Sequence, residues 1–129
     1  MKVFIPITPR SWKRTRGAGN ARYTDNKTRA YQHALAIFLR AAMARARLEP
    51  YAGAVSLDVM FVLARPKTTK CALPESKNEG DLDNLLKNVK DSGTGELYRD
   101  DGQVCELHAI KRWADEGEEP GVHVEILSL

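Results

Sequence analysis

The sequence predicts an α/β domain with a mixed sheet of about four strands and two helices, in the order β-α-β-α-β-β. Three observations predict it. A strand pattern of strict alternation runs from Ala54 to Leu63. Two segments, 27–48 and 81–90, place apolar residues at helical spacing. Two more strand-like stretches, 104–113 and 122–126, follow the second helix, so strands and helices alternate along the chain as they do in a sheet covered by helices.

Val3 to Ile7 reads as a short first strand, with Pro6 marking an edge or a strand end. Residues 9–22 hold Gly17, Gly19 and a run of bases without periodicity, and read as a loop. In the first helix, Ala, Leu, Arg and Met dominate and Pro50 follows the end. Tyr31, Leu35, Phe38 and Ala42 should face the core, and Arg29, His33, Arg40 and Arg47 should lie along another line. Val55, Leu57, Val59, Phe61 and Leu63 form one face of the clearest strand, and Met60 and Val62 suggest cover on the other face at its far end. Residues 65–80 form a long polar loop. The second helix turns Leu82, Leu85, Leu86 and Val89 inward, begins at Asp81 or Asp83, and is stopped early by Ser92-Gly93 and the Gly93-Thr94-Gly95 run. Asp100-Asp101-Gly102 is a turn opening the strand to Trp113. The last two strands, joined by a short acidic connection, are expected to form a hairpin.

With 129 residues and no repeat or internal boundary, the chain reads as a single domain, 1–129. No apolar run approaches the roughly 20 residues of a membrane span, and Met1 to Pro6 is broken too soon to be a secretory signal. Residence in the cytoplasm is the expectation. Cys71 and Cys105 are no disulfide scaffold and no close metal-ligand pair, and read as two reduced thiols.

The charge is divided. Residues 1–50 carry 11 Lys and Arg against 2 Asp and Glu, a balance of +9, whereas residues 51–129 stand at −6. A basic half suits a polyanion and an acidic half with clustered Asp suits a divalent cation, although surface charge that only keeps the chain soluble gives the same totals. The loop bases Lys13, Arg14, Arg16 and Arg22, beside Trp12, suit phosphate contact with stacking by the indole. A solvated loop with Trp12 folded on the core is the plainer alternative.

The segment Asp81-Leu82-Asp83-Asn84-Leu85-Leu86-Lys87 carries the most chemistry. Lys87 follows Asp83 by one helical turn and Asp91 follows Lys87 by another. The second acid group, Asp100-Asp101, stands where a strand begins. Carboxylates from two elements can hold Mg²⁺, which keeps several waters and accepts a phosphate oxygen. Such an ion stabilises charge on a phosphodiester and activates water, and a nearby lysine adds positive charge. Helix capping by the first pair, a surface ion pair at Lys87 and an ordinary turn at Asp100 would account for each motif alone. Two near-neighbouring acids at one helix end exceed what capping needs, and they repel without a cation.

Gly80-Asp81-Leu82-Asp83-Asn84-Leu85-Leu86-Lys87, then Asp91, then Leu97-Tyr98-Arg99-Asp100-Asp101-Gly102-Gln103-Val104, closely resembles the RusA family of Holliday junction resolvases, which is common in prophages. The resemblance implies a RusA-like homodimer that cuts four-way junction DNA symmetrically, in recombination and repair, with Mg²⁺ or in its place Mn²⁺. It implies that Asp81, Asp83 and Asp101 are catalytic and metal-binding, and that Lys87 is catalytic. Asp100 matches the other acid of the turn and is expected in a supporting role. The dimer surface is not assigned, since the 55–63 strand and the first helix serve equally as core. Two other functions compete: a branched-DNA-binding protein with an inactive metal site, against which the intact acids and lysine argue, and a phosphodiesterase for small substrates or RNA, against which the +9 half argues.

Overall fold

The computed structural model describes residues 1–12 and 26–129. Its strands are β1 (Lys2–Ile5), β2 (Val55–Leu63), β3 (Val104–Trp113) and β4 (Gly121–Ser128), and its helices are α1 (Asn26–Arg45) and α2 (Leu82–Gly93). Single 3₁₀ turns, Lys77–Glu79 and Asp101–Gln103, precede α2 and β3. The order is the β-α-β-α-β-β expected from the sequence.

The four strands form one mixed sheet in the order β1-β4-β2-β3. β4 pairs antiparallel with both β1 and β2, while β2 and β3 are parallel. The expected hairpin of the last two strands is therefore absent: β2 lies between them. The physical reason is burial. β2 has Val55, Leu57, Val59, Phe61 and Val62 fully buried, which suits the middle of a sheet. β3 carries Glu106, His108, Lys111 and Arg112 and buries only Trp113, which suits an edge. The connection 114–120 is long enough to step across two strand spacings of about 4.8 Å each. A parallel pair needs a crossover, and α2 supplies it between β2 and β3.

Both helices pack on one face of the sheet. Leu35, Leu39 and Met43 of α1 and Leu85, Leu86 and Val89 of α2 close over Ile5, Leu57, Val59, Phe61, Val122, Val124 and Ile126. The apolar faces of β2 and α1 are thus core. Asp58 and Met60 of β2, Phe4 of β1 and His123 and Glu125 of β4 point to the uncovered face, where the Phe4 and His123 rings lie 4.6 Å apart.

α2 ends where the sequence suggested, at Ser92-Gly93, with Gly93 its last residue and Thr94 its C-cap. The Ser92 hydroxyl donates to the Asn88 carbonyl at 2.6 Å, so it does not compete for other backbone groups. Gly93 is needed for space, since a Cβ there would come within 2.7 Å of the Tyr98 hydroxyl. That hydroxyl donates to the Lys90 carbonyl at 2.8 Å and ties the segment after α2 back to the helix.

Candidate active site

The site is built at the start of α2 and at the turn before β3. Gly80 sets the direction of approach. Its φ of +96° is open to glycine, a Cβ there would collide with the Ser11 hydroxyl, and its carbonyl accepts from Lys111 Nζ of β3 at 2.9 Å. Asp81 is the N-cap residue of α2, yet its carboxylate makes no capping hydrogen bond, so capping does not account for it. Asp83 stands exposed in the first turn, where the helix dipole favours an acid. Leu85 and Leu86 fix the helix's rotation by being buried.

The second acid group is held by Gln103. Its Oε1 accepts from the backbone N–H groups of Arg99 and Asp100 at 2.9 and 3.0 Å. Its Nε2 donates to the Tyr51 and Gly53 carbonyls, both at 2.8 Å. All four hydrogen-bonding positions of the amide are used, and Asp101 sits in the 3₁₀ turn that this clamp closes.

A cleft of about 300 Å³ lies between the two elements, lined by Asp83, Leu86, Lys87, Lys90, Asp91 and Asp101. The structure thus brings Asp83, Lys87 and Asp101 together, as the sequence suggested. Asp81 and Asp100 are exposed and do not line this cleft. Tyr98 lies buried nearby, and its phenol is pushed up from its ordinary value by burial first and then by the charges of Asp101 and Asp91. The bases Lys13, Arg14, Arg16 and Arg22 lie outside the described residues.

Sequence reasoning noted Asp91 by its spacing but did not place it or Lys90 in the site. Both follow from the helical repeat, since residues 83, 87 and 91 are successive turns of one face. It also missed Gln103 as the clamp on Asp101, and Asn88. The Asn88 side chain is fully buried; its Nδ2 donates to the Arg10 carbonyl at 2.8 Å and its Oδ1 accepts from Gln32 Nε2 at 3.0 Å. It anchors the segment ending at Trp12 onto α2.

The donor chemistry is all carboxylate oxygen, the kind a small hard cation takes. No three His, Cys, Asp or Glu side chains among the described residues converge as a ready-made metal cage. Two carboxylates facing one cleft still fit Mg²⁺, which is commonly held by one or two carboxylates, waters and substrate phosphate.

Against this geometry, the family model described as Endodeoxyribonuclease RusA matches residues 5–127. The chain belongs to the RusA endodeoxyribonuclease family. The match takes in every element from Ile5 onward, both acid groups and the crossover between them. No curated protein matches the chain. Membership of the RusA family makes DNA the substrate class and the cleft the place to look for its hydrolysis. No helix among the described residues is long and apolar enough to cross a membrane.

Proposed function

We propose that this RusA-family chain is a magnesium-dependent, structure-selective endonuclease that resolves four-way DNA junctions as a homodimer, with Mn²⁺ as an alternative cation. One observation carries the proposal: Asp83 of α2 and Asp101 of the turn before β3 line one cleft together with Lys87. A bound Mg²⁺ would stabilise charge on the scissile phosphate and lower the pKa of the attacking water. Asp83 and Asp101 would hold it. Asp81, at the same helix end and with no capping hydrogen bond, would complete the acid group that holds the ion. Lys87 and Lys90 place positive charge against the non-bridging oxygens of the phosphate, where charge accumulates in the transition state. Asp100 supports the turn through its backbone, bonded to Gln103 on both its N–H and its carbonyl. Lys13, Arg14, Arg16 and Arg22 would contact junction phosphates. A junction is two-fold symmetric, so a C2 dimer meets two equivalent strands with two equivalent clefts.

The test is cleavage of a labelled synthetic four-way junction beside linear duplex of the same sequence, with and without Mg²⁺. Paired symmetric nicks in the junction alone, and with metal alone, are expected. Equal cutting of the duplex would remove junction selectivity. Binding without cutting, with either Mg²⁺ or Mn²⁺ across several junction sequences, would leave a branched-DNA-binding protein.

A further inference from the structure

The ammonium of Lys87 is held from two sides by groups that the cleavage chemistry above does not use. Its Nζ lies 3.4 Å from Asp91 Oδ2, one turn further along α2. It also lies 4.9 Å from the centre of the Trp12 ring, whose face attracts a cation. Both partners are themselves fixed. The Trp12 backbone N–H donates to the Asn84 carbonyl at 2.9 Å, which pins Trp12 to the helix that bears Lys87. Asn88 holds the Arg10 carbonyl two residues earlier at 2.8 Å. Asp91 Oδ2 accepts from Gln32 Nε2 of α1 at 3.4 Å. The Lys87 side chain is 45% exposed, so core packing does not fix it. A four-carbon stem with that freedom would otherwise sample many rotamers.

We propose that Trp12 and Asp91 are positioning residues that together fix the Lys87 ammonium at the cleft containing Asp83 and Asp101. The proposal rests on the reading of Lys87 as catalytic. It differs from a role for Trp12 in stacking on DNA, because the indole then acts through the lysine and not through the substrate. The carboxylate supplies one attraction, from a residue one turn along the same helix, and the indole ring supplies a second. An ammonium so held needs no reorganisation when the phosphate arrives, which is the condition for electrostatic help to be efficient.

The test combines a contact readout with a double-mutant cycle. The chain has two tryptophans, Trp12 and Trp113, so protein labelled with 5-fluorotryptophan gives two ¹⁹F resonances, assigned with Trp12→Phe. Lys87→Met should move the Trp12 resonance and leave that of Trp113 in place. In single-turnover cleavage of the four-way junction, Trp12→Leu should slow the chemical step about tenfold, the order set by a cation–π contact. Junction affinity measured without metal should stay within about twofold. Asp91→Asn should act in the same direction, and Trp12→Phe should retain part of the rate. Both losses should vanish in the Lys87→Met background, because residues that act through one group are not additive. An equal Trp12→Leu loss in that background, or a loss confined to binding, would overturn the proposal and make Trp12 a DNA contact. An unmoved resonance would overturn it at the contact. Cleavage by Lys87→Met at the parent rate would overturn it at its premise, the catalytic role of Lys87, whatever the resonance shows.

Discussion

Asp83 and Asp101 in the cleft and Glu118 at the β3–β4 connection are carboxylates in opposite circumstances. Glu118 takes two bonds from the Arg112 guanidinium, at 2.6 and 2.7 Å, and a third from the Asp115 N–H at 2.9 Å. These bonds hold its carboxyl down at about 2, the Arg112 hydrogen bond being the largest cause. Arg112 in turn reaches the Trp113 carbonyl and the Met60 sulfur, so the guanidinium is held on several sides. Among the described residues, the Asp83 and Asp101 side chains accept no hydrogen bond and make no ion pair, and they face each other across a cleft. One region uses its acids to fix a connection. Among the described residues the other leaves them unengaged, where the proposed function would have a cation from solution bind.

The largest effect is expected at Asp83. Asp83→Asn is expected to reduce junction cleavage on the order of 10²–10³-fold, with metal-free junction binding retained in a gel-shift measurement. Loss of that binding would contradict the assigned role. Gln103→Ala should come next. It removes four hydrogen bonds around the Asp101 turn without touching a carboxylate, and such supporting changes typically weaken metal affinity about 10–100-fold. Titration with Mn²⁺ would read this, and cleavage should recover in part at raised metal concentration.

At the connection the effects are smaller and depend on pH. The folded-state value of Glu118 lies below its ordinary 4.5, so its contribution to stability is present above 4.5 and is lost as pH falls through about 2. Glu118→Gln should therefore be less stable than the parent at pH 6 in urea, and the gap should close as pH is lowered from about 4.5 towards 2. Junction cleavage at neutral pH should be unchanged while the variant remains folded. Asp115→Asn should have the smallest effect, within about 0.5 kcal/mol. Its carboxylate is 3.9 Å from Arg112 and 88% exposed.

Much of this was legible in the sequence, for physical reasons that differ by element. β2 announced itself because Val55, Leu57, Val59, Phe61 and Leu63 all fall on one buried face. α2 was readable from Leu82, Leu85, Leu86 and Val89, and the acid groups from clustered Asp at a helix start and at a turn before a strand. The strand order was not readable. A short connection between β3 and β4 looks the same whether the strands are neighbours or are separated by a third, and the choice is made by β2's need for cover on both edges. The roles of Gln103 and Asn88 were hidden too. The bonds of Gln103 to Tyr51 and Gly53, and those of Asn88 to Arg10 and Gln32, span 50 to 78 residues, and no local pattern reports a hydrogen bond over that separation.

The parallel pairing of β2 with β3 has a consequence for synthesis of the chain. Residues 55–113 contain β2, α2 and β3 in one contiguous stretch, so the crossover and its cleft can assemble as soon as that stretch leaves the ribosome. The other edge of β2 must wait for β4, whose residues 121–128 are made after β3. During that interval the chain presents an unpaired edge on Val-Ser-Leu-Asp-Val-Met-Phe-Val-Leu, a strand with a single charge at Asp58. An unpaired edge of this kind is a template for strand pairing between chains, and β4 is the segment that covers it.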